Sequence, residues 1–400
     1  MRALLVAALL FAATPALAQA DGAAVADGRY QAVLGDCAGC HGDDLSGGIA
    51  LETPFGRLVT PNITPDRDTG IGSYSAADFR DAMKTGIVQG KALYPAMPYT
   101  AYARMPDKDV DALFAYLKTV KPVRHAVKVN QLRFPYRWRF LMRIWNLIFF
   151  HPKAPDPASH SAAWIRGEYL VNGPGHCGTC HTPKNMFGAD IKPILGGALL
   201  QGWFAPDLTG DAQTGLGGWL AADIVTYLGT GRSAHSIASG PMTEVITNST
   251  AQMRPGDLGA IAAYLKDLPP APGNTHASLR DVERMKRGSS LYQINCSACH
   301  GLDAKGQGPL VPPLTGNAVV NQADASTLVR LVLAGSQGAG TKAAPTRPAM
   351  PSLAWRLDDR QVADILTYVR ANWGNQGTPV AQDFVGGIRA GLQDGQSASK

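Results

Sequence analysis

The sequence predicts an all-α chain of three small domains in series, and three observations carry that expectation. The unit C-x-x-C-H occurs three times, ending at His41, His181 and His300. Each copy lies between a short helical pattern and a later methionine, and each methionine precedes a second helix with apolar residues at helical spacing. Strand signals are sparse, and 400 residues exceed one ordinary core, so two or three domains are expected. A hydrophobic content of 45% with 17% charged residues belongs to a globular chain, not a disordered one.

Residues 1–20, "MRALLVAALLFAATPALAQA", form a targeting segment: Arg2, an apolar run from Leu4 to Ala13, then small residues that suit cleavage. That run falls well short of the roughly 18 residues that a membrane span requires. A cleaved signal peptide and an exported protein are therefore expected. The most apolar later stretch, "WRFLMRIWNLIFF" (138–150), is also too short and is interrupted by Arg139 and Arg143. The mature chain is expected to be soluble or peripheral on a membrane.

The three domains are placed at 21–130, 159–270 and 282–376. They open on "DGRYQAVLGDCAGCH", "IRGEYLVNGPGHCGTCH" and "KRGSSLYQINCSACH", each with a glycine and an aromatic residue ahead of the cysteines. Their methionines stand in turn-like settings, Met97 in "YPAMPY", Met242 in "SGPMTE" and Met350 in "RPAMPS". The closing helices read "DKDVDALFAYLKTV", "PGDLGAIAAYLKDL" and "LDDRQVADILTYVRANW". The first two copies share a further phrase, "TPNITPDRDTGIGSYSAADF" against "APDLTGDAQTGLGGWLAADI", of which the third keeps only "PPLTGN". A basic, aromatic linker (131–158) and a second linker (271–281) separate the domains. The tail, 377–400, is rich in Gly, Gln and Ser and is expected to be loose.

Six cysteines in an exported chain would ordinarily mean three disulfides. Here all six form pairs, Cys37/Cys40, Cys177/Cys180 and Cys296/Cys299, and each pair is followed at once by histidine, for which a disulfide framework has no use. Cysteines three apart sit about one helical turn apart, so their sulfurs reach two vinyl groups on one edge of a porphyrin. The histidine next in sequence then ligates the iron, which makes C-x-x-C-H a c-type haem attachment unit. Three covalently bound haems are expected, with His41, His181 and His300 as iron ligands. A zinc site needs a second ligand pair nearby, and a redox dithiol needs a βαβ setting; the sequence offers neither.

The opposite face of each iron calls for a second ligand, and methionine is the soft donor that raises the potential. Met97, Met242 and Met350 are the candidates by their matching positions, although a single methionine is more often core filler. Met105 rivals Met97, while His235 and Met253 rival Met242. His176 is expected to be a solvated neighbour of a haem edge. Tyr74 is expected to pack against porphyrin; its counterpart Trp219 either packs likewise or binds a propionate. His125, His151, His160 and His276 lie in linkers and receive no role.

With "RGEYLVNGPGHCGTCH" and "TPNITPD...TGIG" in the first two units, the chain resembles the triheme cytochrome c subunits of bacterial membrane-associated dehydrogenases. The resemblance covers nearly the whole mature chain and implies three class I cytochrome c-like domains in tandem. It implies a partner, a large periplasmic subunit that oxidises an alcohol, aldehyde or sugar acid with PQQ, flavin or molybdopterin. Electrons would pass on to ubiquinone or a terminal oxidase, on the outer face of the inner membrane. Some members carry a longer amphipathic C-terminal extension, for which "VAQDFVGGIRAGL" is a weak substitute.

Between Asp111 and Asp156 there is no acidic residue, and nine cations in that interval outweigh the whole formal excess of +6. Within 133–150, Trp138, Leu141, Met142, Trp145, Ile148 and Phe149 fall on one helical face, with Arg139, Arg143 and Asn146 opposite. That pattern fits an interfacial helix with arginines toward anionic lipid; it equally fits a linker helix packed on its own domains or on the partner. Nucleic acid is excluded for an exported haem protein. The leading function is electron transfer without substrate chemistry. A free periplasmic shuttle is the alternative, followed by a haem enzyme with one open coordination position.

Overall fold

The structure, a computed structural model, describes residues 22–152, 160–272 and 281–398, with the backbone alone for 395–398. The signal peptide and parts of both linkers lie outside the described residues. In the first repeat, residues 22–34 form helix α1 and Cys37–His41 form α2. A hairpin of β1 (Ala50–Thr53) and β2 (Gly56–Val59) follows, then α3 (Ala76–Thr85) and the small hairpin β3 (Ile87–Val88) and β4 (Lys91–Ala92). The short α4 (Tyr99–Tyr102) leads into α5 (Asp107–Leu117). β5 (Gln131–Leu132) and α6 (Leu141–Phe149) complete the segment.

The second repeat runs α7 (Ala162–Asn172), α8 (Gly178–His181), the hairpin β6 (Ala198–Leu200) and β7 (Trp203–Ala205), α9 (Ala221–Thr230), α10 (Pro241–Asn248) and α11 (Pro255–Lys266). The third runs α12 (Val282–Asn295), α13 (Ser297–His300), α14 (Ala318–Asn321), α15 (Ser326–Ala334), the two-stranded β8 (Ser336–Gln337) and β9 (Ala349–Met350), α16 (Asp359–Ala371) and α17 (Gln382–Ala398). Helix dominates, and the strands among the described residues are confined to four sheets of two or three strands.

One glycine explains how each repeat closes. A Cβ on Gly28 of α1 would stand 1.8 Å from Ala112 O of α5, one on Gly167 of α7 would stand 2.0 Å from Ala260 O of α11, and one on Gly288 of α12 would stand 2.4 Å from Asp364 O of α16. The first and last helices therefore cross so closely that only a hydrogen fits, and the tyrosine one turn on (Tyr116, Tyr264 or Tyr368) packs its Cβ over the same glycine. Carboxylates lock two of these crossings: Asp257 takes Arg166 in a two-bond fork at 2.8 and 2.9 Å, and Asp364 takes Arg284 and Arg287 at 2.8 and 2.9 Å.

By backbone contacts the chain divides into two units, one holding the first repeat with Asn172–His176, the other holding the second and third repeats. Two expectations need correction. Part of the 131–158 linker belongs to the first unit, because β5 pairs with β2, placing Leu132 opposite Gly56. The tail is not loose. Val385 of α17 is fully buried in the third core, and Arg389 binds Asp359 at 2.6 Å and the carbonyls of Ala354 and Leu357 at 3.0 and 2.7 Å. Helix propensity in this glycine-rich stretch is weak, so tertiary packing is what orders it.

Candidate haem sites

Each cysteine pair lies at the start of a single helical turn, and none of the six cysteines is in a disulfide. In the first repeat Asp36, held at φ 45°, opens that turn and accepts from Gly39 N at 3.2 Å. A redox dithiol depends on a thiol with a depressed pKa. Here burial acts the other way, pushing Cys37 and Cys177 up to about 12 and Cys296 up to about 11. Among the described residues no group of three or more His, Cys, Asp or Glu converges as a zinc site requires.

The histidines are held alike in all three repeats. His41 Nδ1 lies 2.8 Å from Pro61 O, His181 Nδ1 lies 2.7 Å from Pro206 O, and His300 Nδ1 lies 3.2 Å from Pro312 O. A carbonyl only accepts, so each ring donates from Nδ1 and keeps the Nε2 lone pair free. Burial holds all three imidazoles below their ordinary range, partly offset by the carbonyl contact, so the neutral ring that a metal needs is favoured. Glycines shape the returning loops: Gly47, Gly197 and Gly306, all at positive φ, donate to the backbone oxygens of His41, His181 and His300 at 2.8, 2.8 and 2.9 Å. A Cβ on Gly47 would stand 2.4 Å from Pro61 O. The three prolines stood in the repeated phrases "TPN", "APD" and "PPL", which was the signal available for them.

The rest of the phrase shared by the first two repeats is loop architecture. Asp66 and Asp211 each accept a 2.7 Å bond from the amide three residues on, Thr69 N and Thr214 N. Thr64 Oγ1 accepts from Val123 N at 3.1 Å and Thr209 Oγ1 from Ala271 N at 2.9 Å, fixing the chain beyond each closing helix.

Met97, Met242 and Met350 are partly buried, in a turn, on α10 and in β9 respectively. Met105 and Met253 are core residues, each two positions before its closing helix, and the corresponding residue of the third repeat is Leu357, also buried. Leucine cannot ligate, so a position filled by Met, Met and Leu is a packing position. His235 pairs with Asp223 at 3.1 Å and stacks on Trp219 with centroids 4.8 Å apart, which also gives buried Trp219 a packing partner. His176 is not solvated: its Nε2 lies 3.2 Å from Gly35 O, and its ring packs edge-on against Tyr102 at 5.6 Å. Tyr74 is half-buried, and burial raises its hydroxyl pKa.

Comparison with known proteins identifies the family. The cytochrome c family matches at residues 20–121, 166–269 and 285–373, the segments that carry the three C-x-x-C-H units. The chain belongs to the cytochrome c family. Family membership makes covalently bound haem c its cofactor and electron transport its activity. The cytochrome c subunit of the quinone-type alcohol dehydrogenase from Gluconobacter oxydans (strain 621H) is 38% identical over 393 residues, spanning 91% of this chain and 82% of that protein. The gluconate 2-dehydrogenase cytochrome c subunit from Pantoea cypripedii is 38% identical over 412 residues, spanning 95% and 93%. The fructose dehydrogenase cytochrome subunit from Gluconobacter japonicus is 36% identical over 413 residues, spanning 94% and 85%.

The polar face of α6 meets the first repeat. Arg139 Nη1 donates to Ala92 O at 2.9 Å, Arg143 Nη2 to Gly90 O at 2.8 Å, and Asn146 Nδ2 to Thr85 O at 3.0 Å while its Oδ1 accepts from Tyr99 at 2.6 Å. This overturns the arrangement with Arg139 and Arg143 toward lipid and agrees with the other reading, a linker helix packed on its own domain. The loops that end α3 and form the β3–β4 hairpin leave carbonyls open, which donors satisfy and aliphatic side chains do not. Among the described residues no helix is long and apolar enough to cross a membrane.

Proposed function

We propose that the chain is a three-haem electron-transfer subunit of a periplasmic dehydrogenase complex, built from three class I cytochrome c domains in tandem. The observation that carries this is the threefold arrangement of two cysteines outside any disulfide, one helical turn apart, beside a histidine anchored to a proline carbonyl and favoured as the neutral ring. Cys37 and Cys40, Cys177 and Cys180, and Cys296 and Cys299 would hold the three groups. Each thiol would add across one vinyl double bond, sulfur to one carbon and hydrogen to its neighbour, with nothing lost. His41, His181 and His300 would present Nε2 to iron, and Met97, Met242 and Met350 would present Sδ from the other side. The haem, when bound, would supply one-electron redox chemistry; the residues named would hold it, orient it and tune its potential.

The relatives' names favour a donor that oxidises an alcohol, a sugar or a sugar acid; the proposed donor carries PQQ, flavin or molybdopterin in a large catalytic subunit, and the proposed acceptor is ubiquinone or a terminal oxidase. The targeting pattern of residues 1–20 supports a periplasmic chain, and the proposed location is peripheral on the inner membrane. The test is native purification in mild detergent with haem counted as the pyridine haemochrome. Three haems per chain and a co-purifying subunit bearing an organic or molybdenum cofactor are expected. A chain with three haems that emerges alone would favour a free shuttle, and fewer than three would overturn the assignment.

A further inference from the structure

Helix α6 turns Met142 inward and holds Arg143 and Asn146 against the first repeat, and a second apolar stripe is left outside. Phe140, Ile144, Leu147 and Ile148 recur at the spacing of one helical stripe, and all are exposed, Leu147 at 78%. The stripe continues into an aromatic cluster: Phe134, 65% exposed, packs edge-on against Trp138 at 5.0 Å, and Trp138 stacks on Phe140 at 5.9 Å. Hydrophobic side chains scattered singly over a surface need no explanation, but six in one continuous ridge do.

Three features say what covers the ridge. It is carried on a rigid base, because Arg139, Arg143 and Asn146 bind four backbone or side-chain groups of the first repeat and fix which side faces out. The segment that carries it has one sign of charge: Lys121, Lys128, Arg133 and Arg137 are exposed, and no carboxylate occurs between Asp111 and Asp156. Its length is that of a helix lying in a surface, since nine residues rise only about 14 Å. An acidic protein partner would match the charge alone. Aliphatic and aromatic side chains on a ridge, in a segment whose charges are all positive, match acyl chains beneath an anionic headgroup layer.

We infer that the ridge Phe134, Trp138, Phe140, Ile144, Leu147 and Ile148 seats the protein on an anionic lipid surface. The apolar side chains enter the headgroup boundary, and the surrounding lysines and arginines lie against lipid phosphates. The seat is independent of haem ligation, so the two can fail separately.

The experiment is co-sedimentation of the full-length holoprotein with phosphatidylglycerol–phosphatidylcholine vesicles and with phosphatidylcholine vesicles alone, haem spectra being recorded on the same samples. The native protein binds the anionic vesicles, and raised salt weakens binding. Ile144→Ser with Leu147→Ser and Ile148→Ser, all on the exposed side, lowers the affinity at least about tenfold with unchanged haem content. Arg133→Gln with Arg137→Gln removes much of the preference for anionic over neutral lipid. Native protein that ignores anionic vesicles overturns the inference. So does a serine variant that keeps full vesicle binding but loses its co-purifying catalytic subunit, which would make the ridge a protein interface.

Discussion

At the scale of single residues, ligand and core filler are separated by comparing equivalent positions. Met105 and Met253 share their place with Leu357, whereas Met97, Met242 and Met350 stand in loops or element ends with part of the side chain open. Met242→Ala is therefore expected to remove roughly a third of the ferric methionine-to-iron charge-transfer band, while Met253→Leu leaves it whole. An unchanged band in the first variant would return Met242 to the core. Arg370 makes a second argument from position. It is 0% exposed, and its guanidinium donates to Val320 O at 3.0 Å, Gln322 O at 2.8 Å and Thr378 O at 2.8 Å. Arg370→Leu keeps most of the apolar stem but orphans three buried carbonyls, so a loss of about 3 kcal/mol or more is expected in chemical denaturation. A loss under about 1 kcal/mol would mean that water replaces the guanidinium.

At the scale of elements, the segment that bears Met242 is bedded on the third repeat. Ala339 joins Ala238 and Ile246 in a small core on which Met242 packs, and Asn317 donates to His235 O at 3.0 Å. The ring of Trp203 lies against Gly240, where a Cβ would stand 2.8 Å away, and the guanidinium of Arg330 covers the same ring at 5.2 Å. If Met242 ligates iron as proposed, Arg330 and Trp203 would act as positioning residues for it through Gly240. Arg330→Gln is expected to shift or weaken the charge-transfer band of the second haem and lower its midpoint potential, with Arg330→Lys restoring part of both. A variant with all three potentials unmoved would reduce the stack to simple packing. None of this was legible in the sequence, because the contacts that decide it join residues of different repeats or distant loops. What could be read was local: the cysteines and histidine must be adjacent for covalent chemistry, and the closing helices show their period. The carbonyls that orient His41, His181 and His300 are backbone groups, marked in the sequence only by the recurring prolines Pro61, Pro206 and Pro312. In α6 the composition was visible but not the face, since open carbonyls of α3 and the β3–β4 hairpin decided it. For α17, Gly386, Gly387 and Gly391 hid a helix that Val385 and Arg389 tie to the core.

At the scale of the whole molecule, the second and third repeats act as one body. Thr327 Oγ1 accepts from Phe204 N at 2.9 Å and donates to Phe204 O at 3.0 Å, completing the open edge of β7 with a side chain of the next repeat. Gln322, which is buried, donates to Thr214 O at 2.5 Å. Cooperative units in proteins follow shared cores and buried hydrogen bonds more than sequence boundaries. Destabilising the third repeat should therefore loosen the second. Gly288→Ala is the cleanest perturbation, because its new methyl would stand 2.4 Å from Asp364 O and must part α12 from α16. The cost is about 1–3 kcal/mol of overpacking strain. Gly387→Ala is the control, since nothing lies within 4 Å of a Cβ there and the change should if anything favour α17. Amide hydrogen exchange followed by peptide mass spectrometry reads the outcome. In Gly288→Ala, protection should fall in α9 and α11 as well as in α12 and α16, with Gly387→Ala matching the native pattern in all four. If α9 and α11 kept native protection while α12 and α16 lost theirs, the two repeats would be separate cooperative units, and the contacts at Phe204, Gln322 and Ala339 would carry too little energy to join them.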